Sequence, residues 1–307
     1  MAESKNKKKV ILGGIFLGAV PVLFIIYLVL GPILSVLTKD MQAEEMYVIS
    51  DGVNVRAKGE KKALKMGRIE YGTKLLVYSV TDKWAEVLID GQKGYVWNEY
   101  IANPRTFYML DGLFADKRSK KRVSKTKYRL AILRYLEEQG YITNIADEYK
   151  EFLDDEDLNK EVYQIFSESS KSRYNSTAFG DFDGDFKSDA AYVLKNPETE
   201  KKLLVIISFD KTDPMNSSKS IFEMELEEPW IFIRKAVKKS KWYLNSDEVE
   251  SEVELDDEEI VEPKKVRIKI DGISIGTNRN RNLKDPVSLL LYNGEEYEVH
   301  EQDMGTK

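Results

Sequence analysis

The stretch with the most chemical potential is Phe179-Gly180-Asp181-Phe182-Asp183-Gly184-Asp185-Phe186-Lys187-Ser188-Asp189, which runs into the apolar segment Ala190 to Leu194. Counted from Asp181, carboxylates stand at loop positions 1, 3, 5 and 9. A hard cation such as calcium takes about six to eight oxygens; alternate side chains of a tight loop converge on it while position 7 lends a backbone carbonyl. That carbonyl is the one of Lys187. Asp181, Asp183, Asp185, Lys187 and Asp189 are therefore the candidate metal ligands, with calcium as the cofactor; the alternative is an acidic turn that holds no ion. Position 12 is Tyr192, where an EF-hand needs a bidentate glutamate. Position 6, commonly a glycine in the left-handed conformation, is Phe186, a placement that costs about 1–2 kcal/mol.

Other chemistry is narrowly bounded. There is no cysteine and a single histidine, His300, which excludes disulfides, thiolate zinc sites, cysteine nucleophiles and any site needing two imidazoles. No serine lies in a nucleophile-elbow context and no glycine loop fits a phosphate. With no catalytic constellation, the chain reads as a non-enzyme. The rival is a membrane-tethered hydrolase working with two carboxyls about 5–9.5 Å apart across a cleft, because acidic residues abound. Their 53 carboxylates against 47 lysines and arginines, a formal charge of -6, offer no bulk attraction to nucleic acid.

Several elements must position these groups, and the first is a membrane span. Val10 to Leu37 holds 28 residues without a charge, about 42 Å of helix against a hydrocarbon core of about 30 Å. Pro21 and Pro32 would kink it. Lys5, Lys7, Lys8 and Lys9 precede it, while Lys39 is outnumbered by Asp40, Glu44 and Glu45 beyond it. The expected arrangement is a cytoplasmic tail 1–9, an uncleaved transmembrane helix 10–37 in the lipid bilayer and a stalk 38–45, with the bulk of the chain extracytoplasmic. The run is too long for a cleaved secretory signal.

From 46 to 102 the pattern becomes short alternating stretches punctuated by Asp51-Gly52, Tyr71-Gly72 and Asp90-Gly91, as in a small all-β barrel. Val53-Asn54-Val55-Arg56, Gly72-Thr73-Lys74-Leu75, Trp84-Ala85-Glu86-Val87 and Gly91-Gln92-Lys93-Gly94-Tyr95-Val96, ending in Tyr100-Ile101, resemble the bacterial SH3 domain. The resemblance implies an SH3-like recognition module of a bacterial cell envelope, with a cell-wall peptide or an envelope protein as partner. Tyr95 stands where that family often has tryptophan, and Trp97 follows on the same strand face. Trp84, Tyr95, Trp97 and Tyr100 either form an aromatic surface for peptide or muropeptide, or fill the small core.

Residues 103–145 are expected to form a basic linker and a helix. Lys117, Arg118, Lys120, Lys121, Arg122, Lys125, Lys127 and Arg129 carry no acid among them. They read as a solvated approach to the helix, or as a contact for anionic lipid or wall polymer. Ser124 is its candidate cap; Tyr128, Ile132, Tyr135 and Leu136 recur at helical spacing until Gly140. A second helix is expected from Asp155 through Leu158, Val162, Ile165 and Phe166.

Residues 146–307 read as an α+β domain with a mostly antiparallel sheet. Ala190–Leu194 and Leu203–Phe209 form one predicted hairpin. Val249–Leu255 and Val266–Ile270 form a second, across the acidic run 256–263, itself read either as structural or as disordered. Val287–Tyr292 and Glu295–His300 form a third, about an Asn293-Gly294 primed turn. His300 is expected on the surface or half-buried. The acid loop resembles the calcium loop of FG-GAP or VCBS-type repeats over 179–194, down to the leading Phe179-Gly180. That resemblance implies side-chain ligation by Asp181, Asp183, Asp185 and Asp189. It occurs once, so a propeller is excluded. The sum is a membrane-anchored envelope protein that binds or tethers, a ligand-free scaffold being a further alternative.

Overall fold

The computed structural model describes residues 43–114, 125–166, 176–209, 218–227, 231–244, 264–277 and 288–301. The expected span 10–37, Ser124 and the run Val249–Leu255 lie outside these residues. No helix among the described residues is long and apolar enough to cross a membrane. The chain divides into two compact units, one comprising residues up to Val48 with Gly52–Ile101, the other Ile49–Asp51 with Ala102–Lys307.

The first unit is built from β1 (Glu44–Val48), β2 (Val53–Arg56), β3 (Lys65–Ile69), β4 (Lys74–Val80), β5 (Trp84–Ile89), β6 (Gln92–Trp97) and the short β7 (Ile101–Ala102). They form one seven-stranded sheet in the order β3-β2-β6-β5-β4-β1-β7. Alternation sends one residue in two inward: Val53 and Val55, Leu75 and Val77, Ala85 and Val87, and Val96 meet in a single apolar core with Val48 and Ile69. Positive φ at Gly52, Gly72 and Gly91 turns the chain at the three predicted steps.

In the second unit helix α1 (Pro104–Leu113) starts at Asn103, whose side chain accepts the Thr106 amide at 2.8 Å. The expected linker did not include it. Helix α2 (Thr126–Glu138) follows, and the chain leaves it at Gly140, φ +75°, as its spacing predicted. Strands β8 (Ile142–Thr143), β9 (Val162–Ile165), β10 (Thr177–Gly180), β11 (Asp189–Lys195), β12 (Lys202–Phe209) and β13 (Ser218–Leu226) form a six-stranded sheet, antiparallel except for β8 with β9. Next come β14 (Ile231–Ala236), β15 (Lys241–Leu244), β16 (Lys264–Arg267), β17 (Gly272–Thr277), β18 (Ser288–Tyr292) and β19 (Tyr297–Glu301). Of these, β14-β17-β18-β19 make a second sheet and β15-β16 a two-stranded ribbon.

Period-two alternation explains the layering. Ala190, Tyr192 and Leu194 of β11 and Leu203, Val205 and Ile207 of β12 pack with Tyr128, Ile132, Tyr135 and Leu136 of α2. Their neighbours Ala191, Val193, Leu204 and Ile206 pack with Ile233, Ile273, Ile275 and Leu290 of the second sheet. Buried on both faces, β11 and β12 are continuous apolar runs instead of alternating ones.

Three expectations are corrected. Residues 155–166 are not a helix: two 3₁₀ turns, Asp147–Phe152 and Asp157–Asn159, precede strand β9, in which Tyr163 and Ile165 are buried and Val162 and Gln164 half-buried. Lys264–Arg267 pairs with Lys241–Leu244, and the pairing expected between Val249–Leu255 and Val266–Ile270 lies in part outside the described residues. The last hairpin pairs Tyr292 with Tyr297, so its turn is centred on Gly294-Glu295. Asn293 closes that turn by accepting the amides of Glu295 and Glu296 on its side-chain oxygen. Arg129, read as part of a solvated basic run, is buried beside the Phe114 ring. His300 is half-buried on β19, 3.2 Å from Glu298.

Candidate functional site

Two places gather the residues singled out above. The first is the outer face of β2, β6 and β5. Because Val53, Val55, Ala85, Val87 and Val96 point inward, Asn54, Arg56, Trp84, Glu86, Tyr95 and Trp97 must point outward. The Cα register sets Trp84 opposite Trp97 and Arg56 opposite Tyr95. The two indoles meet edge to face, centroids 5.2 Å apart at 69°, an arrangement favoured by the ring quadrupoles. With Tyr100, Asn54, Lys61 and Glu99 they line a groove of about 340 Å³.

None of the four predicted aromatics belongs to the core. Trp84, Tyr95 and Trp97 are half-buried and Tyr100 is exposed. Three line the groove. Tyr95 does not: its hydroxyl is 3.4 Å from Glu86, and Lys93, ion-paired to Glu86 at 2.8 Å, lies over its ring. Sequence reasoning missed Arg56, Lys61, Asn54 and Glu99, although the alternation of Val53-Asn54-Val55-Arg56 already put Asn54 and Arg56 on the face opposite the valines.

The second place is the turn between β10 and β11, whose register closes at Gly180 opposite Asp189. Two phenylalanines anchor it to opposite layers: Phe179 stacks on Tyr128 at 4.6 Å, and Phe182 is buried in the core between the sheets. The loop then organises itself through its own carboxylates. Phe186, Asp185 and Lys187 donate their amides to Asp181, Asp183 and Asp185 respectively, and Phe182 donates to Asp189 Oδ2 at 2.8 Å. From the β14–β17 side, Asp271 accepts the Asp181 amide at 3.2 Å and the Lys238 amide at 2.9 Å, and pairs with Lys235 at 2.6 Å.

Asp181, Asp183 and Asp189 bring one oxygen each within 4.8 Å of one another. Asp185 is turned aside to Lys187, 2.7 Å away. Asp189 is wholly buried, and its Oδ1 has no hydrogen-bond partner. Burial pushes its pKa up to about 7, the Phe182 amide acting in the other direction. Asp181 is raised by burial and by its neighbours Asp183 and Asp185. The buried hydroxyl of Tyr297 also lacks a partner, and its acidity is suppressed by burial and by the field of Asp189, Asp183 and Asp181. Phe186 has the left-handed φ of +65° that its position in the loop predicted, and the residue is 79% exposed.

Residues 51–102 match the bacterial SH3 domain family. This part of the chain is similar to a bacterial SH3 domain. The match begins just before β2 and ends with β7, so it contains the whole aromatic groove. Domains of this family are ligand-binding modules, often related to the cell wall. No curated protein and no solved structure matches the chain.

Proposed function

We propose that this protein is a non-enzymatic recognition protein of the bacterial envelope, held to the membrane by residues 10–37, whose SH3 domain takes a wall peptide in the groove of Trp84, Trp97 and Tyr100. The observation that carries this reading is the groove itself: two crossed indoles and a phenol, left out of the core, on the face of a ligand-binding module. Rigid rings bury much area for little lost mobility. In the second unit, a calcium ion bound by Asp181, Asp183 and Asp189, with the Lys187 carbonyl and a rotated Asp185 as further donors, would order the β10–β11 loop. The support is that Asp181, Asp183 and Asp189 bring carboxylate oxygens within 4.8 Å of one another, and that one oxygen of the buried Asp189, Oδ1, has no partner.

Retention of the full chain on purified peptidoglycan tests the reading. Wild type is retained; Trp97→Ala and Trp84→Ala, checked for an unchanged cooperative melt, are not. Equal retention of both variants, or no retention of wild type, refutes it.

A further inference from the structure

The groove is not neutral. Arg56 and Lys61 line it, and among the described residues neither has a carboxylate partner. Each is nevertheless held in place. Arg56 spends one Nη1 donor on the Ala63 carbonyl at 2.8 Å, which fixes the guanidinium and leaves its other donors for a guest. Lys61 rests its ammonium 5.0 Å from the centre of the Trp97 ring, a cation–π contact that places charge at the aromatic wall. Positioned cations without anions, beside rings that partly exclude water, are a receptor for an anionic group. Its net charge is small, because Glu99 lines the same groove.

That balance decides which anion. Two cations and one carboxylate leave the groove a single net positive charge, which suits one carboxylate better than a polyanionic chain. At about 340 Å³, near the lower end of small-ligand sites, the groove itself holds about two or three small residues. Arginine's planar fork suits a carboxylate in two-point contact, and Asn54 offers an amide for the peptide backbone.

We propose that the groove captures the free carboxyl end of a wall stem peptide, Arg56 and Lys61 taking the terminal carboxylate and Trp84 and Trp97 flanking the small residues before it. This rests on the wall-peptide reading above and adds to it: a stem whose terminal carboxyl has been consumed in an amide cross-link lacks the anion and is passed over.

The test is titration of the full chain in detergent, read by tryptophan fluorescence and calorimetry, with three probes: N-acetyl-Lys-D-Ala-D-Ala, its C-terminal amide and the all-L acid. The D-acid is expected to bind at least about tenfold tighter than its amide, as charge-assisted hydrogen bonds require, with the difference shrinking in high salt. Arg56→Gln should abolish the acid-over-amide preference while leaving the weak amide binding, and Lys61→Met, in an exposed loop, should reduce it without a folding penalty. Equal affinity for acid and amide overturns the carboxylate inference and leaves the wall reading standing. Equal affinity for D- and L-acids overturns the wall source. If no probe binds while peptidoglycan is still retained through Trp97, the terminus is not the ligand; if neither binds, both readings fall.

Discussion

A carboxylate shut away from water with one oxygen unpartnered is costly to keep charged, and at Asp189 the fold accepts that cost at the point where two other carboxylates converge. A cation relieves the cost; so does removing the charge. Asp189→Asn keeps the acceptor for the Phe182 amide and the side-chain shape. In chelator the variant should melt about 2–4 °C above wild type, whereas calcium should raise the wild-type melting temperature and leave the variant unmoved. A calcium-insensitive wild type would remove the ion from the account. Phe186 supplies the complementary experiment. Its left-handed backbone is strained and its ring packs little, so Phe186→Gly should stabilise the protein by about 0.5–1 kcal/mol once glycine's larger unfolded-state entropy is allowed for. Calcium should then bind more tightly, because the loop no longer stores that strain; denaturant titration and calorimetry read the two effects separately.

Between elements, the joint of α1, α2 and the Asp157–Asn159 turn is held by charge. Arg105 on α1 reaches Glu137 on α2 at 2.8 Å and Asp157 at 2.8 Å, and Lys160 reaches Asp157 as well. Burial alone would raise the Asp157 carboxyl, but Lys160 and Arg105 hold it below its ordinary 3.8. In acid the unfolded chain therefore binds the proton first. The clamp is at full strength above about pH 5 and is lost as pH falls below 4 toward the folded-state value. Asp157→Asn should lower stability by about 1–3 kcal/mol at neutral pH and flatten the acid limb of urea-denaturation midpoints; parallel limbs would show that the clamp contributes nothing. The same region shows what the sequence could and could not reveal. Helix α2 and the β11–β12 hairpin were legible because apolar periodicity and the run lengths admit one solution each. Leu158, Val162, Ile165 and Phe166 fit a helical stripe on spacing alone, yet pairing of Val162–Ile165 with β8 and β11 outweighed it. Asn293-Gly294 signalled a turn, but the Asn293 side chain, not the dipeptide's backbone, sets its register. In the groove three of the four predicted aromatics were legible and the cations were not, since Arg56 on β2 and Lys61 in the loop after it meet the Trp97 wall only when that hairpin is laid against β6.

On the scale of the whole molecule, the second unit sandwiches β11 and β12 between helices and a second sheet, so the acid loop at the head of β11 is tied to both layers, and an ion bound there would stiffen them together. The SH3 groove works differently: a pocket for about two or three residues gives modest affinity, and what makes modest affinity useful is confinement near the wall. That confinement is the task assigned to residues 10–37, uncharged and preceded by Lys5, Lys7, Lys8 and Lys9. Expressed in a bacterial cell, the full chain should sediment with membranes and resist alkaline carbonate, while a chain lacking residues 1–37 should stay in the supernatant and still bind peptidoglycan in vitro. Protease added to intact spheroplasts should degrade the SH3 domain of the anchored form. If carbonate releases the full chain, or the protease spares it while a cytosolic protease does not, the groove is not held against the wall at high effective concentration, and the anchored-envelope reading falls.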